Sequence, residues 1–303
     1  MPTTYLTTLM AFTHFLTAYI HTLLYLRHLY PHESFLRTRF HNTPVHQSRH
    51  PNVCQWILDA VAAVKEELTK GTVARIAIVI FHPGITPSSS YEEEEGLGQV
   101  KILERYMLDV SSFPVLTREE RFMDIEWQKT EAEREAERAR QAEEDARIAA
   151  ALAAQEESAF KGKGKAKKKE KKAPLDAEVA VDLSEQFRAA FITLSTRVSQ
   201  LEQLPEGCSF NISMELKDEA DVDPPIGHPQ KWMPSQPSLQ KTGRKGATVQ
   251  DNGRQEGEDL GGAKVTPIRT VEAGVFRFET WIEEGKAKFN TRWPKSSFES
   301  SAG

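Results

Sequence analysis

The sequence predicts an α+β fold in which three helices pack on one antiparallel sheet. Three long segments place apolar residues at steps of three and four, as amphipathic helices do. Five shorter segments are continuously apolar or alternate between apolar and polar side chains, as strands do. The predicted order along the chain is helix, helix, two strands, helix, strand, loop and two strands.

The first predicted helix, from Thr4 to Tyr30, is rich in Leu, Phe, Tyr and Ile. Its length and composition are also typical of a membrane span or a signal peptide. No basic residue precedes it, however, and His14, His21 and Arg27 interrupt it, which favours a buried core helix over a span. We therefore expect a soluble chain.

The second helix is predicted to begin at Pro51, because proline suits the first helical position, and to end at Gly71. Between the first two helices, Tyr30–Pro51 is predicted to be a turn region. The apolar residues of the second helix recur at helical steps: Val53, Trp56, Ile57, Ala60, Val61, Val64 and Leu68. The third helix, about 181–204, carries Phe187, Phe191, Leu194, Val198 and Leu201 on one face.

The predicted strands differ in how deeply they are buried. Arg75–Phe81 is almost continuously apolar, as a central strand is, and Val100–Val110 is its predicted antiparallel neighbour. Cys208–Leu216 alternates strictly, which predicts a half-buried strand. Lys264–Val271 and Val275–Glu283 are predicted to complete the sheet.

Composition divides the chain into two ordered parts, 1–116 and 181–290, separated by an insert at 117–180. The insert is dominated by Glu, Arg, Ala and Lys, without the apolar seam of a coiled coil, and is predicted to be part solvated helix and part disordered. A polar stretch at about 235–262 is predicted to be a flexible loop, and 291–303 a disordered tail.

The charge and cysteine content exclude several classes of protein. In 303 residues, 44 acidic and 39 basic side chains give a net charge of −5, which indicates neither a nucleic-acid-binding chain nor an acidic tail. The two cysteines, Cys54 and Cys208, are too few for a disulfide framework or a zinc module built from cysteine. A reducing compartment suits this composition.

Motif patterns disfavour an enzyme. The chain has no G-x-S-x-G, Walker, dinucleotide-binding or H-E-x-x-H pattern, and no cysteine in an activating local context. His14, His21 and His28 lie seven residues apart, so neighbours are about 10.5 Å apart along a helix, too far to share a metal ion. They are interpreted as partly exposed polar positions, and no cofactor is predicted.

Two features leave alternatives open. The lysine-rich run 161–172 is either a solvated linker or a basic patch for DNA contact or nuclear import, and its central residues are Lys167, Lys168, Lys169, Lys171 and Lys172. Trp232 lies in a proline-rich segment, and Trp281 faces the polar side of the last strand. These tryptophans are either partner contacts or the cover of a small satellite core.

Several segments together resemble the HORMA-domain family, and within it the accessory subunits of translesion DNA polymerase zeta. They are LLYLRHLYP (23–31), NTPVHQSRHPNVCQWILDAVAAVKEELTKGTVARIAIVI (42–80), FRAAFITL (187–194), PEGCSF (205–210), VTPIRT (265–270) and FETWIEE (278–284). The resemblance covers both ordered parts in chain order. It implies three helices on a sheet, with a C-terminal safety belt, about 223–288, that closes over a short peptide of a partner.

The resemblance also implies three sites. A proline-containing peptide of the polymerase zeta catalytic subunit is expected at Trp56 and Trp232, with Tyr30 nearby. A scaffold translesion polymerase is expected to contact Val265, Glu279 and Trp281, and pairing with another HORMA domain is expected at Arg188.

The sequence is thus interpreted as a nuclear, non-enzymatic adaptor of polymerase zeta in translesion synthesis, with at most weak or indirect DNA contact and no membrane partner. The alternatives are a spindle-checkpoint or meiotic-axis HORMA adaptor, or a DNA-binding structural protein that acts through the lysine-rich insert.

Overall fold

The computed structural model describes residues 4–83, 100–117, 119–122, 181–217, 232–240, 257, 259–273 and 276–290, which belong to one folded unit. The helices of four or more residues are α1 (Tyr5–Leu26), α2 (Pro51–Lys70), α3 (Val181–Val198) and the short α4 (Lys286–Asn290). The strands are β1 (Phe35–Phe40), β2 (Thr43–Ser48), β3 (Val73–His82), β4 (Lys101–Asp109), β5 (Ser209–Leu216), β6 (Lys264–Ala273) and β7 (Phe276–Glu284).

Five strands form one antiparallel sheet in the order β5-β3-β4-β7-β6. At its centre Ile78 of β3 pairs with Tyr106 of β4 on one side and with Ile212 of β5 on the other. The β6–β7 hairpin continues the sheet beyond β4, where Tyr106 pairs with Ile282. Among the described residues, three long helices thus accompany a five-stranded antiparallel sheet, which confirms the predicted α+β fold class.

Helix α1 forms the centre of the core. Thr4 caps its first turn by accepting a hydrogen bond from the N–H of Thr7 at 3.3 Å. Phe15 stacks on Phe187 of α3, with ring centroids 4.6 Å apart, and packs against Phe278 of β7. The helix is long and apolar enough to cross a membrane by length and composition, but two thirds of its most apolar window is buried in the fold, as in a core helix.

Helix α2 has the predicted boundaries. Pro51 is its first residue, and Gly71 follows its last with a φ of 79°, a conformation that favours glycine. A Cβ at position 71 would lie 2.7 Å from a methyl carbon of Val115, so the close approach of this side chain also requires glycine. Ile57, Val61 and Val64 are buried, as their spacing predicts.

The prediction of a turn region over Tyr30–Pro51 was wrong, because β1 and β2 form a hairpin there. The turn residues His41 and Asn42 both have positive φ, 44° and 60°, as a two-residue type I′ turn requires. The hairpin was missed because charged and polar residues interrupt the apolar alternation of both strands. Asn42 was the one local signal for such a turn.

The other differences concern boundaries and coverage. Helix α3 ends at Val198, short of the predicted end near residue 204. The predicted insert beyond residue 122 and the predicted tail at 291–303 lie outside the described residues. The predicted loop at 235–262 is described only in part, and its residues 235–240 lie over the sheet.

Candidate functional site

A cavity of about 990 Å³ lies between α2, the β5 side of the sheet and the crossing segment, by which we mean residues 232–240. Helix α2 contributes one wall and the crossing segment the opposite one. The main lining residues are Trp56, Asp59, Ala63, Glu66, Phe81, Ile102, Asn211, Ile212, Ser213, Met214, Trp232, Met233, Pro234 and Leu239. The cavity is mostly apolar, as ligand-binding pockets in proteins usually are.

Strand β5 is the edge of the sheet that borders this cavity. Within the described part of the chain, β5 pairs only with β3. An edge strand presents N–H and C=O groups on its outer side, where another strand can pair. The N–H of Ile212 donates a hydrogen bond to the side-chain oxygen of its neighbour Asn211 at 2.8 Å. The side chain of Asn211 thus satisfies a backbone donor beside the cavity.

The two tryptophans predicted for peptide binding both line this cavity. Trp56 on α2 is 41% exposed, and its ring meets Phe210 of β5 edge-on, with centroids 5.0 Å apart. Trp232 lines the cavity from the crossing segment and is half-buried. Tyr30 is half-buried between α1 and β1 and is not among the lining residues. Burial raises the pKa of its phenol.

The crossing segment contacts the sheet through one apolar side chain and is joined by backbone hydrogen bonds to residues 257 and 259. Leu239 packs on the buried cluster of Ala77, Val79, Ile102 and Met107. The N–H of Asp259 donates to the carbonyl of Ser238 at 3.0 Å. The chain leaves the sheet at Lys217, whose N–H bonds Thr72, and returns at Ala263, whose N–H bonds Glu284. Lys217 and Ala263, the described residues that flank this part of the chain, are therefore each hydrogen-bonded to the folded unit.

Among the described residues, two charged side chains line the cavity, and both are acidic. Asp59 and Glu66 lie seven residues apart on α2, and therefore on nearly the same face of the helix. Asp59 accepts a hydrogen bond from Gln55 at 2.8 Å. The site therefore combines an apolar floor, an open strand edge and an acidic rim.

The residues predicted to contact a scaffold polymerase share one face of the β6–β7 hairpin. Val265 is 55% exposed and pairs with Glu283. Trp281 donates from Nε1 to Glu283 at 2.8 Å, and Glu279, exposed, accepts from Arg277 at 2.8 Å. Glu283 also forms an ion pair with Arg105. Trp281 itself packs on the same cluster as Leu239, so it is half-buried and its face of the strand is not simply polar.

Arg188, the predicted pairing residue, is exposed on α3, next to the buried Phe187. No hydrogen bond or ion pair joins it to another described residue. The residues of the predicted basic patch, Lys167–Lys172, lie outside the described residues.

The described histidines and cysteines include two, His21 and Cys208, whose pKa values burial shifts strongly. No group of three His, Cys, Asp or Glu side chains that could hold a metal ion occurs among residues the structure describes. The interpretation of His21 as partly exposed was wrong, because β2 covers it and burial lowers its pKa to about 4. Burial, with the charge of Glu104, raises the pKa of the Cys208 thiol to about 11, so this thiol is not activated.

Comparison with known proteins agrees with this architecture. The sequence pattern of the HORMA domain matches residues 9–254, well over half of the chain. A chain of the crystal structure of a mitotic checkpoint complex aligns with a TM-score of 0.50 and 13% identity, over 91% of this chain and 97% of that one. At that identity the alignment shows the fold alone. The chain belongs to the HORMA domain family.

Two curated relatives are similar over about a third of this chain. The DNA polymerase zeta processivity subunit of Schizosaccharomyces pombe is 36% identical over 105 residues, which are 35% of this chain and 42% of the relative. The mitotic spindle assembly checkpoint protein MAD2B of Homo sapiens is 30% identical over 109 residues, 36% of this chain and 48% of the relative. The chain thus spans less than half the length of either relative.

Sequence reasoning missed much of the cavity. Phe210, Asn211, Met214 and Leu239 line it or contact its lining, and none was predicted as a site residue. The strict alternation of β5 predicted a half-buried strand. It carried no signal that β5 lies at the edge of the sheet, because that depends on which strands pair.

Proposed function

We propose that this protein is a non-catalytic adaptor that captures a peptide of a partner along the outer edge of β5, beneath the crossing segment. One observation carries the proposal. A mostly apolar cavity is bounded by an open strand edge, by α2 and by the crossing segment, whose Leu239 packs on the sheet.

The physical basis is strand addition. A peptide that pairs with β5 gains backbone hydrogen bonds, and its alternate side chains enter the apolar cavity, where Trp56 and Trp232 supply large contact areas. Because the crossing segment forms one wall of the cavity, a peptide bound beneath it dissociates only when this segment moves. Enclosure therefore lowers the dissociation rate more than it changes the association rate.

The names of the relatives indicate which partner to test first. A relative is called a DNA polymerase zeta processivity subunit, so we take the peptide to be a proline-containing segment of the polymerase zeta catalytic subunit. The protein then acts in the nucleus, in translesion DNA synthesis. The surface with Val265, Glu279 and Trp281 would receive the scaffold polymerase, and Arg188 would support pairing with a second HORMA domain.

A second candidate partner follows from the other relative. MAD2B is named as a mitotic spindle assembly checkpoint protein, so capture of a checkpoint peptide by the same cavity is the competing function. Both candidates use one site and differ only in the peptide captured. A structural DNA-binding role through Lys167–Lys172 is a third possibility that involves neither the cavity nor the edge strand.

The test is a calorimetric titration of the full chain with peptides tiled along the polymerase zeta catalytic subunit of the same organism, at two salt concentrations. We expect one peptide to bind one-to-one, with little salt dependence, since the cavity is mostly apolar. Tight binding of checkpoint peptides alone would shift the function to the second candidate. Binding of neither set by the folded protein would contradict capture at this site.

A further inference from the structure

A positively charged strip runs along the β1–β2 hairpin, on a part of the fold that the proposed function does not use. Between residues 28 and 58 the chain has three arginines, five histidines and a single acidic residue, Glu33, although the whole chain carries a net charge of −5. The positive charge is therefore concentrated locally.

The arginines of the strip are exposed and available. Arg37 and Arg39 alternate along β1, so both project from the same face of the hairpin. Both are exposed, and neither forms an ion pair or a hydrogen bond with another described residue. By contrast, Arg27, Arg75 and Arg105 each form an ion pair with a carboxylate of the same fold. Two unpaired guanidinium groups side by side suit the phosphates of a nucleic acid.

A stack of rings continues the strip from Arg37. His46 pairs with Arg37 across the hairpin and stacks on Tyr25, with centroids 3.5 Å apart. Tyr25 stacks on His32 at 4.3 Å, and His32 stacks on His28 at 4.2 Å. His28 ends this stack, is exposed, and is fixed just after α1 with a φ of 55°. The exposed end of a stack is a platform on which a further flat ring can lie.

The electrostatics agree with a locally positive surface. Burial, and then the positive charges of Arg37 and His32, lower the pKa of His46. Burial, with the charges of His32 and Arg27, likewise lowers the pKa of His28. A bound anion would reduce the repulsion between these positively charged groups. An acidic peptide would supply charge alone, whereas an unpaired nucleotide strand supplies both phosphates and bases.

We propose that the strip formed by Arg37, Arg39, His46, Tyr25, His32 and His28 binds single-stranded nucleic acid, with phosphates on the arginines and a base stacked on His28. Binding of this kind is independent of sequence and sensitive to salt. It uses a surface separate from the peptide cavity, because none of these residues lines that cavity.

The experiment measures fluorescence anisotropy of a labelled 20-nucleotide thymidine strand with the full chain at several salt concentrations. All variants are made in a background in which Lys167, Lys168, Lys169, Lys171 and Lys172 are alanine, so that the lysine-rich run does not contribute. Arg37→Ala and Arg39→Ala should each weaken binding about fivefold and reduce the slope of log affinity against log salt by about 0.7. Arg277→Ala, at an exposed arginine of β7 that already pairs with Glu272 and Glu279, is the control for a general loss of positive charge and should change neither quantity.

A second comparison tests the stacking. An abasic strand of equal length should bind about tenfold more weakly than the thymidine strand, and His28→Ala should remove that difference. A uridine strand tells whether the site discriminates DNA from RNA. Equal binding of a polyglutamate peptide, or equal losses from Arg277→Ala and Arg37→Ala, would overturn the proposal.

Discussion

The ammonium of Lys288 lies 2.6 Å from a carboxylate oxygen of Glu104, and both side chains are almost completely buried. Lys288 also reaches Glu284 at 2.6 Å, while Arg27 forms two hydrogen bonds with Glu104, at 2.8 and 2.9 Å. Tyr106 donates to the same carboxylate at 2.8 Å. This cluster joins α4, which follows the β6–β7 hairpin, to β4 and to the end of α1.

Replacing Lys288 with methionine should strongly destabilise the fold. The substitution keeps the length of the side chain but leaves Glu284 and Glu104 buried with one cation fewer, and removing one partner of a buried ion pair costs about 3–5 kcal/mol. Urea unfolding followed by circular dichroism measures the loss. Lys264→Met is the control, because Lys264 also approaches Glu284, at 3.3 Å, but its side chain is 61% exposed and such pairs contribute less than about 1 kcal/mol. Equal losses for both variants would contradict a special role of the buried cluster.

Replacing Trp232 with alanine should weaken capture of the peptide by about 2 kcal/mol or more, about thirtyfold in affinity. The reason is that the indole lines the cavity from the segment that closes over it. Calorimetry with the best peptide from the tiled set gives the affinity, and circular dichroism verifies folding. Leu58→Ala is the control, since Leu58 is exposed on α2 but does not line the cavity. Unchanged affinity would remove Trp232 from the site.

Replacing Asn211 with alanine should strengthen capture. In the empty site the Asn211 side chain accepts the hydrogen bond of the Ile212 N–H, so an added strand must displace it before pairing there. Without that competitor, affinity should rise by up to about 1 kcal/mol, roughly fivefold, mostly through faster association. Stopped-flow fluorescence with a labelled peptide measures both rates. Asn211→Asp, which keeps the acceptor oxygen, is the control and should not speed association. Weaker binding by Asn211→Ala would mean that the amide contacts the peptide.

The sequence predicted those elements whose signals are local. The ends of α2 follow from Pro51 and Gly71, and the helical spacing of its apolar residues gave its buried face. The hairpin of β1 and β2 was not predictable in this way, because Arg37 and Arg39 stand where an apolar alternation would continue. Its stability comes from contacts with α1 and α3, such as Phe40 against Phe187 and Phe191, which are distant in sequence.

The residues of the candidate site also fall into those that the sequence predicted and those that it did not. Trp56 and Trp232 were predicted as one site only from the family resemblance. No local sequence pattern indicates that two tryptophans so distant in sequence line the same cavity. Asn211 and Leu239 were missed, since their positions depend on the order of strands in the sheet and on where the crossing segment lies. The burial of His21 was missed for the same reason as the hairpin, because Ser48 of β2 covers it.

His21 should make the stability of the fold depend on pH between about 6.5 and 4. Its Nδ1 accepts a hydrogen bond from the N–H of Ser48 at 3.3 Å, and burial lowers its pKa to about 4. The unfolded chain, with an ordinary histidine pKa near 6.5, binds the proton more readily, so stability is complete above pH 6.5 and is lost as the pH falls towards 4. The loss attributable to this residue is about 3 kcal/mol. Urea unfolding at a series of pH values measures it.

The matched variants for this prediction are His21→Asn and His14→Asn. Asparagine at position 21 can still accept the hydrogen bond from Ser48 but does not titrate, so the loss of stability between pH 6.5 and 4 should shrink by about 3 kcal/mol relative to the original protein. His14 lies two turns earlier on α1 and is exposed, so its replacement should leave the pH dependence unchanged. An unchanged pH dependence in His21→Asn would show that the pKa of His21 is the same in the folded and the unfolded chain. The buried hydrogen bond with β2 would then not govern the response of this fold to acid.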